Sequence, residues 1–152
     1  VTEIYVDADA CPVREETYRV AARFNLVVHV VHNGSRPIRP PADPHIRVVT
    51  VPDTPDSADD WIAERITASD VCVTQDIPLA SRCLAAGARA LSSTGRLWTN
   101  DNIGSALAGR AIGQHLRESG IPTGGPAALS RQDRSNFLGA LDTIVHAALR
   151  AK

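Results

Sequence analysis

The sequence has no methionine, a single lysine, and only two residues each of tryptophan, tyrosine and phenylalanine in 152. With so few aromatics, base-stacking platforms are scarce, and a nucleic acid bound here would be held mainly by its backbone. Methionine is missing even at position 1, as expected for a removed initiator or a valine start codon read literally, and this carries no functional information. Cys11, Cys72 and Cys83 are an odd count without C-x-x-C spacing, which excludes a disulfide scaffold and a zinc ribbon and leads us to expect a reduced, cytoplasmic setting. The histidines at 29, 32, 45, 115 and 146 show no metal-ligand spacing. No apolar run has the length of a membrane span, and the longest, residues 26–31, is interrupted by His29. No basic-then-apolar leader is recognisable. Excess charge is missing too: the formal net charge is -1, which argues against a surface that traps polyanions in general.

What is present describes one domain. A hydrophobic fraction of 43%, a charged fraction of 22%, and 10 Gly with 10 Pro exclude a disordered or collagen-like chain. A chain of this size buries roughly 68 to 70% of its unfolded surface. Near-neutrality conceals an asymmetry. Residues 1–76 carry 13 acids against 7 Arg, whereas residues 77–152 carry 4 acids against 8 Arg and Lys152. Of 17 acids, 12 are Asp, and of 16 bases, 15 are Arg. A GC-rich genome accounts for the Arg skew, although planar Arg forks also suit phosphate. Asp collects at caps, turns and metal sites, so its positions are informative.

Residues 3–7 (EIYVD) are a β-rich run ending in an acid, and Pro12 then marks the first position of a helix running through Phe24. Residues 26–31 are expected to be a central strand covered on both faces. Residues 33–44, with four prolines, read as a surface loop before a strand at 46–51. After punctuation at 53–57 come a helix to about Thr67, a strand at 70–74, a helix at 78–86 closed by Gly87, and a strand at 88–91. This alternation predicts a mainly parallel α/β sheet covered by helices, with the pairing of strands 27–31 and 46–51 left open because no helix separates them. Residues 92–99 read as a turn or short hairpin. Helices at 102–119 and 130–151, separated by GIPTGGP at 120–126, form a C-terminal helical cap over about 100–151, on a core of about 1–95.

In parallel α/β sheets ligands bind outside the carboxyl ends of the strands. Here strand one delivers Asp7 and Asp9, strand four delivers Asp76, and the second helix opens with Asp56, Asp59 and Asp60. Any one of these is adequately explained as a helix cap, an explanation that three such turns weaken. Asp7 stands too early to cap a helix starting at Pro12, and Asp7-Ala8-Asp9 would put two carboxylates on one face of an extended segment. Asp59 flanks the core-facing stripe of its helix while Asp60 points further away. If Asp7, Asp9, Asp59 and Asp76 converge, each pair of charges ~4 Å apart costs on the order of 4 kcal/mol at an effective dielectric of 20. The cluster therefore needs a cation or shared protons. Carboxylate oxygens select Mg²⁺ or Mn²⁺ over zinc, and such an ion activates water and stabilises charge on a phosphoryl oxygen.

The segments VDADACPV, A-D-x-x-I at 58–62, VTQDIPLA, NIGSALAGR, and GP followed by DRSNF resemble the bacterial YaiI/YqxD family nearly end to end. That family is in turn similar to PIN-like, NYN-related nucleases, in which acids after strand one, at a helix start and in a T-x-D after strand four bind divalent metal. Asp7, Asp59 and the Asp76 of Thr74-Gln75-Asp76 match those positions. The resemblance implies a PIN-like three-layer α/β fold and a metal site at these acids but supplies no substrate; the acid cluster itself leads us to expect metal-dependent phosphodiester hydrolysis, with RNA as the expected substrate class. A further acid often completes a PIN site; Asp9 is the candidate by proximity, and Asp101 or Asn102 are alternatives.

From the basic half, Arg82, Arg96, Arg110, Arg131 and Arg134, with Arg14, either line a phosphate-binding rim or form ordinary solvated surface. Arg14, Thr74 and Arg134 are the substrate-side choices. Cys11 sits where a helix dipole would lower a thiol pKa, although a packed thiol is the favoured role. A competing enzyme reading makes Asp7 and Asp9 the nucleophile and acid of a haloacid-dehalogenase-type phosphatase, but Cys11 stands where that chemistry usually wants Thr or Val, and the only lysine is Lys152. A third reading is a non-catalytic module that binds nucleic acid or protein. A homodimer through the cap is a further expectation.

Overall fold

In chain order the elements are β1 (Ile4–Asp7), a 3-10 turn (Ala8–Ala10), α1 (Arg14–Phe24), β2 (Val28–His32), β3 (Ile46–Thr50), α2 (Ser57–Arg65), β4 (Val71–Val73), α3 (Ile77–Ala85), β5 (Arg89–Leu91) and α4 (Arg131–Arg150). The computed structural model describes residues 2–34, 38, 41–54, 56–104 and 129–150. The strands form one sheet in the order β3-β2-β1-β4-β5, and every pair is parallel. The open question about β2 and β3 is thereby resolved: they pair in parallel, with Val30 opposite Val48. Residues 100–104 are helical; the rest of the helix expected at 102–119, its Arg110, and the 120–126 segment lie outside the described residues.

Alternation along the strands divides the interior into two cores. Ile4, Val6, Val28, Val30, Val71 and Val73 face one side and pack with Val20 of α1 and with Phe137, Leu141 and Val145 of α4. Tyr5, Val31, Cys72 and Ala90 face the other side, against Ile62 of α2, Leu79 and Cys83 of α3, and Trp98. The result is a three-layer α/β domain. Helix α4 packs on α1 and on β4 and β5, so the expected C-terminal cap completes one of the three layers. Its start is capped reciprocally, Ser130 N–H donating to Asp133 Oδ2 and Asp133 N–H to Ser130 Oγ. The turn after β5 is closed by Ser92 N–H to the Arg96 carbonyl, and Leu91 bridges Leu97 antiparallel, as the hairpin reading expected. Gly95 in that turn has φ +90°, and a Cβ there would lie 2.8 Å from the Asn136 backbone of α4.

Three local expectations need correction. Helix α1 begins at Arg14 with Val13 as its N-cap, so Pro12 lies outside it. Residues 8–10 curl into a 3-10 turn, so Asp7 and Asp9 are not on one face of an extended segment. The strand expected at 26–31 also starts later, because Asn25 takes a left-handed conformation (φ 55°) and Leu26 N–H bonds back to the Ala21 carbonyl. Among the described residues no helix is long and apolar enough to cross a membrane.

Candidate functional site

The chain leaves β1 toward β2 and β3 on one side of the sheet and leaves β4 toward β5 on the other. Such a reversal opens a crevice at the carboxyl ends of the two central strands. A cavity of about 440 Å³ lies here, and Asp7, Asp9, Asp56, Asp59 and Asp76 all line it. Asn33, Thr54, Ser57, Gln75, Ala58 and Ile77 complete its wall. Among the described residues, no Lys or Arg lines it.

Each acid arrives by a different device. Asp7 ends β1, sharing strand parity with Tyr5 and so lying on the α2/α3 side of the sheet. Its carboxylate is buried, and Oδ2 accepts the Thr74 hydroxyl at 3.0 Å. Thr74 is itself fully buried and accepts Asp76 N–H at 2.9 Å, so one hydroxyl ties the end of β1 to the start of α3. The Trp98 indole donates to the Thr74 carbonyl and fixes the same corner. Asp76 caps α3, with Oδ1 accepting Leu79 N–H at 2.9 Å and Pro78 in the first turn. Asp9 reaches the cavity from the 3-10 turn, where Oδ2 accepts Asn33 N–H at 2.9 Å. Asp59 projects from the first turn of α2, whose N-cap Asp56 has a left-handed backbone (φ 67°) that Asp tolerates better than most residues. Asp60 stays outside and pairs with Arg82 at 2.7 Å, as the helical stripe implied.

The electrostatics reflect this crowding. Burial, with the nearby Asp76 and Asp9 charges adding to it, pushes the Asp7 carboxyl up to about 6 despite the Thr74 hydrogen bond. Burial, then repulsion from Asp76, Asp7 and Asp56, pushes Asp59 up to about 6 as well, opposed by Arg82. Among the described residues, no three His, Cys, Asp or Glu side chains stand close enough to hold a metal ion directly between them. The carboxylates share a cavity without forming a closed ligand cage.

The other expected residues are placed as follows. Thr74 meets Asp7 and Asp76, and its complete burial keeps its hydroxyl from the open cavity. Arg134 Nη1 donates to the Pro12 carbonyl at 2.9 Å and to Glu16 at 3.1 Å, joining α4 to the start of α1. Arg14 is half-buried as the first residue of α1. None of Arg14, Arg82, Arg96, Arg131 and Arg134 lines the cavity. Asn102 bonds Thr99 N–H and the Leu97 carbonyl, and neither it nor Asp101 lines the cavity, whereas Asp9 and Asp56 do. Cys11 is buried, and desolvation pushes its thiol up to about 11, against a nucleophilic role and in keeping with a packed thiol. His29 stacks on Tyr5 and pairs with Glu3, while His32 bonds Gly34 N–H and Thr50; both are structural.

Sequence reasoning missed Asn33 and Gln75 as wall residues, and it named Asp56 without assigning it to the site. The rule that found Asp7 also applied to Asn33, which directly follows the last residue of β2, but a neutral amide carries no signal of its own.

The family described as "Uncharacterized BCR, YaiI/YqxD family" matches residues 5–147. Curated relatives named UPF0178 protein are similar over essentially their full length. The one from Rhodospirillum rubrum is 52% identical over 150 residues, covering 99% of each chain. That from Caulobacter sp. is 56% identical over 150 residues, covering 99% of this chain and 98% of its own. That from Paramagnetospirillum magneticum is 51% identical over 150 residues, with the same coverage. No solved structure matches the chain. The motif resemblance and the full-length identities agree: this chain belongs to the YaiI/YqxD family.

Proposed function

We propose that this protein is a divalent-metal-dependent nuclease that hydrolyses phosphodiester bonds of RNA in the acidic cleft. The observation that carries this reading is the convergence of Asp7, Asp9, Asp59 and Asp76 on one cavity with no basic side chain in its described wall. Holding those charges together without a cation is costly. One or two carboxylates from among Asp7, Asp9, Asp59 and Asp76 would hold Mg²⁺ or Mn²⁺ directly, and the ion when bound would lower the pKa of water and stabilise charge on a phosphoryl oxygen. Mg²⁺ usually takes one or two carboxylates and keeps several waters, which suits carboxylates that share a cavity without closing a cage.

The chain's own residues supply position. Thr74 holds Asp7, the α3 amino terminus holds Asp76, and the Asn33 amide holds Asp9, each through one oxygen. Asp59 accepts no hydrogen bond among the described residues, so it is the acid best able to adjust to a ligand. Arg14 and Arg134, beside the β1–α1 connection, are proposed to hold the RNA backbone beyond the reacting phosphate. The proposal includes a cytoplasmic setting, in keeping with three buried free thiols.

The test incubates purified protein and Mn²⁺ with labelled single-stranded RNA and, separately, with a small phosphate monoester. RNA cleavage that EDTA or Asp76→Asn abolishes is the expected outcome. Hydrolysis of the monoester alone would favour the phosphatase, and RNA binding without turnover would favour the binding module.

A further inference from the structure

The described wall of the cleft is dominated by acceptors, yet it contains a side-chain amide, that of Gln75, whose orientation is fixed and whose donor is not used within the wall. Gln75 lines the cavity between Thr74 and Asp76. Its Oε1 accepts the backbone N–H of Ser93 at 3.0 Å. That bond settles which way the amide faces, because a backbone N–H can be met only by the amide oxygen and not by its NH₂. Ser93 is fully buried and sits in the turn closed by Ser92 and Arg96, so the anchor is rigid. The Nε2 group donates to no acceptor among the described residues. A neutral donor is also the chemistry this position needs, since an Arg or Lys here would pair with the adjacent carboxylates and compete with a cation.

We propose that Gln75 is a substrate-contacting residue whose NH₂ donates to a non-bridging oxygen of the phosphodiester bound in the cleft. The proposal rests on the functional reading above for the identity of the ligand as RNA. Ser93 acts through Gln75 as the positioning group.

Two variants separate the donor from its surroundings. Gln75→Glu keeps an oxygen for Ser93 N–H but removes the donor, and Gln75→Met removes the donor without adding charge. Binding of fluorescent single-stranded RNA is followed by anisotropy in Ca²⁺, an oxygen-seeking ion used in place of Mn²⁺, with thermal midpoint and Mn²⁺ binding measured alongside. Both variants are expected to raise the Kd for RNA about ten-fold, the scale of losing one hydrogen bond to a charged group, with Mn²⁺ binding retained in Gln75→Met. Gln75→Glu is expected to melt close to the wild type. An unchanged Kd in Gln75→Met overturns the proposal, as does weakening in Gln75→Glu alone, which charge repulsion explains. If the wild type binds RNA but never cleaves it, the nuclease reading fails while the Gln75 result still decides this inference. If the wild type binds no RNA, both are overturned.

Discussion

Two buried aspartates, Asp7 and Asp70, lie at opposite ends of the same sheet and are treated differently by the fold. Asp70, at the amino end of β4, is 3% exposed, and its two oxygens accept Glu3 N–H, Thr67 N–H and the Thr67 hydroxyl. Asp7, at the carboxyl end of β1, is 6% exposed and accepts a single hydroxyl, with Asp9, Asp59 and Asp76 around the same cavity. Exposure is nearly the same, so burial alone does not distinguish a structural acid from one proposed to bind a cation. What distinguishes them is how much of the carboxylate's hydrogen-bonding capacity the protein has already used. Asp70 is satisfied internally and locks the α2–β4 connection to β1. Asp7 retains an oxygen without a partner among the described residues, in a site where negative charge accumulates.

The comparison is broken most directly by removing each acid. Asp70→Ala leaves three donors without their acceptor and is expected to destabilise the fold by on the order of 3–5 kcal/mol in urea denaturation. Asp7→Asn is expected to act in the opposite direction. The Asp7 carboxyl is raised from 3.8 to about 6, so the fold keeps a proton that the unfolded chain has lost. Wild-type stability contributed by this group is therefore present below pH 4, falls between about pH 4 and 6, and is level above that. Asn, which can still accept the Thr74 hydroxyl, removes this loss and is expected to gain roughly 2–3 kcal/mol at pH 8 while abolishing cleavage. Stability curves at pH 4 and pH 8 check the sign. Arg134→Met tests a carboxylate that does have a cation: Glu16, with Oε2 already buried and unbonded, would lose its ion pair at a cost of about 1–2 kcal/mol. The smallest effect is expected for Arg82→Met. Its exposed pair with Asp60 contributes less than about 1 kcal/mol, but its loss should raise the Asp59 titration further, measurable by carboxyl NMR.

Much of this arrangement was legible in the sequence because it follows from topology. Once β1 and β4 are read as parallel strands, Asp7 and Asp76 must emerge at one end, and the stripe of α2 separates Asp59 from Asp60. The sequence was less informative where side-chain partners decide the role. Thr74 reads as a substrate ligand because a hydroxyl suits phosphate, yet it joins Asp7 to Asp76, and the guanidinium of Arg134 gives no sign that it also bonds Glu16 and the Pro12 carbonyl. Asp7 lies 67 positions from Thr74, and Glu16 and Pro12 lie 118 and 122 positions from Arg134, beyond any local pattern. The 3-10 turn at Ala8–Ala10 was hidden for a different reason: Pro12 signals a helix start, and α1 begins two residues later.

The carboxyl-end acids are proposed to be left for a cation. Isothermal titration of Mn²⁺ into the wild type, Asp7→Asn, Asp76→Asn and Asp60→Asn at pH 7.5 tests this without reference to any substrate. A single saturable site in the wild type and in Asp60→Asn, lost in Asp7→Asn and Asp76→Asn, is the result the account expects; no binding to the wild type, or equal binding in all four, would contradict it.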